Sequence, residues 1–240
     1  INTPTLSFPE NNSSGLLEPY KLNWVTNKNI KNYTIEIASD ALFETILETA
    51  TLNTSYFEPE TLEFNTTYYW RVRGTNNCGE SSFSNYYSFT TANVICDTYF
   101  SKNEPLNIPD NDASGIGSDI NITTNKIIAD INVTITVPHK WVGDLTLYLS
   151  SPTGTKVLLS ANNGDRGLNY TNTTFDDNAE TLITSGIPPF TGIFKPQGNL
   201  SAFNNEESYG NWTLQAFDNG LGDKGTIDNW NIEICGVTVI

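Results

Sequence analysis

The chain has no methionine, one histidine, three cysteines and only 12 lysines and arginines in 240 residues. Against those 12 cations stand 27 acids, a formal net charge of −15. So few basic residues leave no stripe that could follow a phosphate backbone, which excludes a nucleic-acid partner. The charge fits a solvated surface or cation binding. No apolar run approaches the roughly 18 residues of a membrane-crossing helix, so no membrane partner is expected. The sequence contains no signal-peptide pattern, and Ile1 is not expected to be a natural start. Together with the missing methionine, this leads us to expect an excised segment of a larger protein.

Catalytic chemistry is equally poorly supplied. A Ser-His-Asp triad would have to use His139, which follows Pro138 beside Trp141, an ordinary structural position. Gly-x-Ser-x-Gly is absent. One histidine without His-Glu-x-x-His leaves too few ligands for catalytic zinc. Gly115-Ile116-Gly117 and Gly220-Leu221-Gly222 lack the following helix of a phosphate cradle and read as turns. No catalytic residue is assigned, and the segment is expected not to be an enzyme by itself.

What is there is β-sequence. Short alternating runs are broken by Gly, Pro, Asn and Asp, the pattern of sandwiches. Strands are predicted at 21–25, 33–38, 67–73 and 85–91, then at 126–137, 144–149, 156–160, 211–217 and 230–235. The best helical candidate is 41–50, itself rich in β-branched residues. The expected fold class is all-β, with two domains, 1–92 and 93–240, joined near 91–95. Residues 1–92 carry 5 cations against 10 acids, and residues 93–240 carry 7 against 17. Abundant Asn, Thr and Ser with few Lys suggests an extracellular protein, and triplets such as Asn132-Val133-Thr134 are frequent enough to arise by chance.

Cys78, Cys96 and Cys235 make an odd set. Cys96 opens the second half and Cys235 closes it, and terminal strands of a sandwich often lie side by side. Cys96–Cys235 is therefore the favoured bridge, with Cys78–Cys96 the alternative. Closing so long a loop contributes about 4–5 kcal/mol in the polymer-entropy picture. Such a bond belongs to an oxidising compartment.

Carboxylates punctuate the second half at turn positions. Calcium needs six to eight oxygens from several loops. Asp144, Asp176 and Asp177 are the leading candidates, with Asp218 or Asp223 joining from Asp218-Asn219-Gly220-Leu221-Gly222-Asp223. Asp110 and Asp112 form a second acidic cluster. The competing explanation is that Asp favours turns because its side chain bonds nearby backbone. Adjacent Asp176 and Asp177 do not suit a glycosidase, whose two carboxyls stand across a sugar. Aromatics offer a different class of function. Trp212 and Trp230 are expected inside, whereas Trp141 and Tyr170 lie near loops where they could form a glycan platform.

Two resemblances sharpen this. Trp24 in Leu22-Asn23-Trp24-Val25, and Thr67-Tyr68-Tyr69-Trp70-Arg71-Val72-Arg73-Gly74, resemble the fibronectin type III family, with Tyr68 as a corner tyrosine bonding back near Leu62. The proline common after the corner leucine is replaced by Phe64. The second half, 96–236, resembles the P domain of proprotein convertases. The ordered pieces are Ile108-Pro109-Asp110-Asn111, the strand at 127–136, His139-Lys140-Trp141-Val142-Gly143-Asp144-Leu145, Ser151-Pro152-Thr153-Gly154-Thr155, Thr173-Thr174-Phe175-Asp176-Asp177, Gly210-Asn211-Trp212-Thr213-Leu214 and Gly225-Thr226-Ile227-Asp228-Asn229-Trp230. That resemblance implies a jelly-roll sandwich following the catalytic domain of a secreted bacterial protease in the same polypeptide. The protease would be a subtilisin-like serine endopeptidase or a metalloprotease, and the domain would stabilise it and bind calcium. The alternative is a carbohydrate-binding or adhesion module of a surface protein.

Overall fold

A computed structural model describes residues 1–59, 62–102 and 105–239. The protein divides into two compact units, Ile1–Val94 and Ile95–Ile240. Both are β-sandwiches, and the helical content among the described residues is three short 3-10 turns, Val142–Asp144, Ile183–Ser185 and Leu200–Phe203.

The first unit contains β1 (Leu6–Phe8), β2 (Ser13–Leu16), β3 (Leu22–Trp24), β4 (Asn32–Ala38), β5 (Ile46–Leu52), β6 (Tyr56–Phe57), β7 (Thr67–Asn76), β8 (Gly79–Glu80) and β9 (Tyr87–Thr91). One sheet has the order β1-β3-β6. The other runs β2-β9-β7-β4-β5, with β8 paired to β7. Strict period-two alternation on β7 buries Tyr68, Trp70 and Val72 and turns Tyr69, Arg71 and Arg73 outward. Leu22 and Trp24 of the smaller sheet meet Ile35, Ile37, Trp70 and Phe89 of the larger in one core. The best helical candidate, 41–50, forms no helix. Residues 46–50 instead belong to β5, which pairs with β4 across Ile35↔Ala50. Its β-branched residues suit a pleated edge strand better than a helix surface.

The corner tyrosine is made as the sequence suggests. The Glu63 backbone N–H donates to the Tyr68 hydroxyl at 2.8 Å. Arg71 is stacked between Phe43 and Phe83, 3.9 and 4.3 Å from their ring centres, and pairs with Glu36 at 2.7 Å.

The second unit contains β10 (Ile95–Phe100), β11 (Leu106–Asn107), β12 (Ile116–Ile122), β13 (Lys126–Val137), β14 (Leu145–Ser150), β15 (Lys156–Ala161), β16 (Tyr170–Phe175), β17 (Phe190–Phe194), β18 (Gly210–Asp218), β19 (Thr226–Ile227) and β20 (Asn229–Thr238). A five-stranded sheet β10-β20-β13-β16-β17 faces a four-stranded sheet β12-β18-β14-β15, and β11 pairs with β19. The polypeptide crosses repeatedly between the two sheets, a jelly-roll order. Val133, Ile135 and Trp230 from one sheet and Leu147, Trp212 and Leu214 from the other share the core.

Two features of the five-stranded sheet matter below. Cys96 and Cys235 are directly opposite on β10 and β20 and are joined by a disulfide, while Cys78 is free and exposed. Strand β13 carries a bulge between Ile128 and Asp130, which slips its alternation so that Ile128 and Ile131 are both buried. The Lys126 side chain is only 1% exposed, and its ammonium bonds the Ile95 carbonyl and Asp97.

Candidate functional site

At one end of the second unit, the turn after β13 meets the loop after β18. His139 sits on the first, and Asp218, the last residue of β18, leads into the second. His139 Nε2 lies 3.2 Å from Asp218 Oδ2, with both side chains buried. His139 Nδ1 lies 2.9 Å from the Trp141 carbonyl oxygen and 3.1 Å from the Trp141 backbone nitrogen. The ring is thus held on both edges in either protonation state. With both nitrogens engaged in this way, His139 clamps two loops together rather than facing a nucleophile.

Asp144 closes the Val142–Asp144 turn beside this pair. Its backbone carbonyl accepts from Asn219, through the backbone N–H at 2.9 Å and the side-chain amide at 3.0 Å. Burial raises the Asp144 carboxyl above the usual carboxylate range, with Asp218 and Asp223 adding to the rise and His139 opposing it. A Cβ on Gly220 would stand 1.9 Å from Asp144 Oδ2, so a larger residue here would displace the Asp144 carboxylate.

The structure therefore gathers Asp144, Asp218 and Asp223 and separates Asp176 and Asp177 from them. Strand β16 starts beside His139, where the His139 N–H donates to Asn169 Oδ1. It then runs about 20 Å away before Asp176 is reached. There Asp176 and Asp177 face Asp130 and Glu233. Burial pushes the Asp130 carboxyl up to about 6, and the charges of Asp176, Asp177 and Glu233 push the same way. Both oxygens of Asp177 accept backbone N–H groups, from Leu200 at 2.9 Å and Ser201 at 2.8 Å, at the start of the last 3-10 turn. Asp176 Oδ1 accepts from the Asn178 N–H at 2.7 Å.

Asp110 and Asp112 do not act as a pair. Asp110 receives the Gly222 N–H, whereas Asp112 closes a local turn on Ser114, whose hydroxyl and N–H hold its carboxyl below the usual range. Among the described residues, no group of three or more His, Cys, Asp or Glu side chains is arranged to hold a metal ion. A calcium ion at either acidic group would have to draw on backbone carbonyls as well.

The glycan platform needs correcting. Tyr170 is fully buried, stacked on Phe190 at 4.8 Å and bonded to Ser160 through its hydroxyl. Burial pushes its phenol up to about 12. Tyr170 lies directly opposite Val137 on the inward face, so strand phase decided its fate. Trp141 is half-buried, and the Arg166 guanidinium lies 5.2 Å from its ring centre.

Sequence reasoning missed Asp130 and Glu233. The signal was available in Ile128-Ala129-Asp130-Ile131, where apolar residues stand three apart inside an otherwise alternating run.

No curated protein sequence matches this protein. Among solved structures, the Aeromonas sobria serine protease in complex with a chaperone aligns at 17% identity and a TM-score of 0.43, over 61% of this chain and 28% of that one. The same protease in a second structure gives a TM-score of 0.42, again at 17% identity over 61% and 28%. The α-L-rhamnosidase of Streptomyces avermitilis complexed with L-rhamnose aligns at 14% identity and a TM-score of 0.28, over 98% of this chain and 22% of that one. This chain thus spans between a fifth and a third of the length of each protein, and likenesses this distant carry no inference about activity. The firmer match is in sequence: residues 128–234, from β13 to β20, match the family model of the proprotein convertase P-domain.

Proposed function

We propose that the protein is the non-catalytic accessory region of a secreted protease, with the second unit packing on a catalytic domain in the same polypeptide and stabilising it. The P-domain match over residues 128–234 carries this reading. The Cys96–Cys235 bridge supports an oxidising, extracellular setting. Ile187 and Ile193, exposed at the β17 edge of the five-stranded sheet, would suit a covered surface. The first unit serves as a fibronectin type III-like spacer. Its sheet orders and the Tyr68 corner support that assignment. Calcium is proposed at the Asp144, Asp218 and Asp223 loops, where an ion would offset the burial and the neighbouring charges that raise Asp144.

The test is a casein zymogram of the native protein that contains this segment, with a serine-protease inhibitor in one lane and a zinc chelator in another. A cleared band lost in one lane supports the accessory role and names the catalytic class. The absence of clearing in every lane overturns it and favours an adhesion or glycan-binding module. For calcium, EDTA should lower the melting temperature of the second unit, and identical melts with EDTA and with calcium would remove the claim.

A further inference from the structure

Of the five strands in its sheet, β10 alone gives no side chain to the buried core. The opposite edge, β17, anchors itself with Phe190 and Phe194. On β10, Ile95, Cys96, Asp97, Thr98 and Phe100 are exposed, and only Tyr99 is partly buried against the core. Hydrophobic burial therefore does little to keep this strand in place. Strand β20, its neighbour, does not depend on it. β20 pairs along β13 from Lys126↔Thr238 to Thr136↔Asn229 and buries Trp230, Ile232 and Ile234.

Three other attachments hold β10. The first is its backbone pairing with β20, from Ile95↔Gly236 to Phe100↔Asn231. The Ser101 N–H donates to the Trp230 carbonyl at 2.9 Å, so by the alternation of an antiparallel ladder the Asp97 and Tyr99 amides also face β20. The second is the Lys126 ammonium, which bonds the Ile95 carbonyl and, at 2.8 Å, Asp97 Oδ2. Asp97 is half-exposed, which limits what this pair contributes. The third is the Cys96–Cys235 disulfide. A short ladder at an exposed edge with few apolar contacts opens at low cost, so the covalent bond is the attachment that decides whether the strand stays.

We infer that the Cys96–Cys235 bridge is a redox latch on β10: closed, it seats the strand, and reduced, it lets residues 95–100 leave β20 while the rest of the jelly roll stays folded. The step is an exchange with a dithiol. One thiolate of the dithiol attacks the sulfur of the exposed Cys96, and Cys235 leaves and takes up a proton. The second thiol then resolves the mixed disulfide, which returns Cys96 as a thiol and leaves the dithiol oxidised to its own disulfide. The first unit ends at Val94, so β10 follows it at once. Release turns six ordered residues into tether and adds about 20 Å of reach at full extension.

The test is amide NMR of the full 240-residue protein, oxidised and then reduced with dithiothreitol. On reduction, the Asp97 and Tyr99 amides should move to the shifts of an unstructured polypeptide and lose their heteronuclear NOE. Val133, Ile135 and Leu214 should keep their shifts. Cys96→Ser with Cys235→Ser should give the reduced spectrum without reductant. Asp97→Asn in the oxidised protein weakens the Lys126 attachment and should leave Tyr99 ordered, because the bond still holds the strand. Three results would overturn the latch. Unchanged Asp97 and Tyr99 signals after reduction would mean that pairing alone holds the strand. Loss of the Val133, Ile135 and Leu214 shifts as well would mean that the bridge holds the whole unit. A disordered Tyr99 in oxidised Asp97→Asn would mean that Lys126 holds it.

Discussion

His139 and Asp218 are paired inside the second unit, Nε2 to Oδ2 at 3.2 Å, although they are 79 residues apart in sequence. The pair joins the turn after β13 to the end of β18, and so ties one sheet of the jelly roll to the other. Removing the carboxylate leaves a buried imidazole nitrogen without its partner. Asp218→Ala should destabilise the second unit by about 2–4 kcal/mol, and Asp218→Asn, whose amide oxygen still accepts from Nε2–H, by clearly less. Urea unfolding of the two variants checks the order, and a loss within about 0.5 kcal/mol for Asp218→Ala would mean that the pair is dispensable.

Asp130 should make stability depend on pH in the direction opposite to a salt-bridged acid. Its folded value of about 6 lies above the ordinary carboxylate range. The folded state therefore holds the proton more tightly than the unfolded one. The penalty of ionising Asp130 is absent at about pH 4, grows as pH rises to about 6, and persists above that. Asp130→Asn should stabilise the second unit by about 1 kcal/mol at pH 7.5, a value discounted because the carboxyl keeps some contact with water. The gain should vanish near pH 4. Melting temperatures of wild type and variant across that range give the answer, and a gain independent of pH would refute the assignment.

Reduction of the Cys96–Cys235 bridge, or Cys235→Ser, should cost about 2–5 kcal/mol. Cys78→Ser, at an exposed free thiol, should stay within about 0.5 kcal/mol of wild type. Denaturation midpoints with and without dithiothreitol separate the two.

In the first unit, Tyr68→Phe removes the acceptor for the Glu63 N–H and nothing else of size. A loss of about 1 kcal/mol is expected, because that N–H is left to find water. A variant as stable as wild type would mean that the corner tyrosine contributes only its ring.

The strands and the core were largely legible because period-two alternation is local. Tyr68, Trp70 and Val72, and likewise Val133 and Ile135, declare their face within a few residues. Edge strand β15 was legible too, but β5 and β17 were not. Strand β5 buries little and has a weak pattern, and β17 holds its place by parallel pairing with β16. The acidic site was legible residue by residue but not as a grouping. Asp144 and Asp218 are brought together by the pairing of Leu145 with Asp218, a long-range register that no local pattern encodes. Tyr170 was misplaced for the same reason, since only its register against Val137 turns it inward.

Strands β10 and β20 lie side by side and are covalently joined at residues 139 positions apart. A pull applied to the polypeptide on either side of that link would run through two sulfur atoms and bypass the sandwich between them. Within the second unit, stretching would then load only the few residues outside the bridge, while the jelly roll stayed slack and folded. In a single-molecule pulling experiment, the second unit should lengthen only after the bridge is reduced.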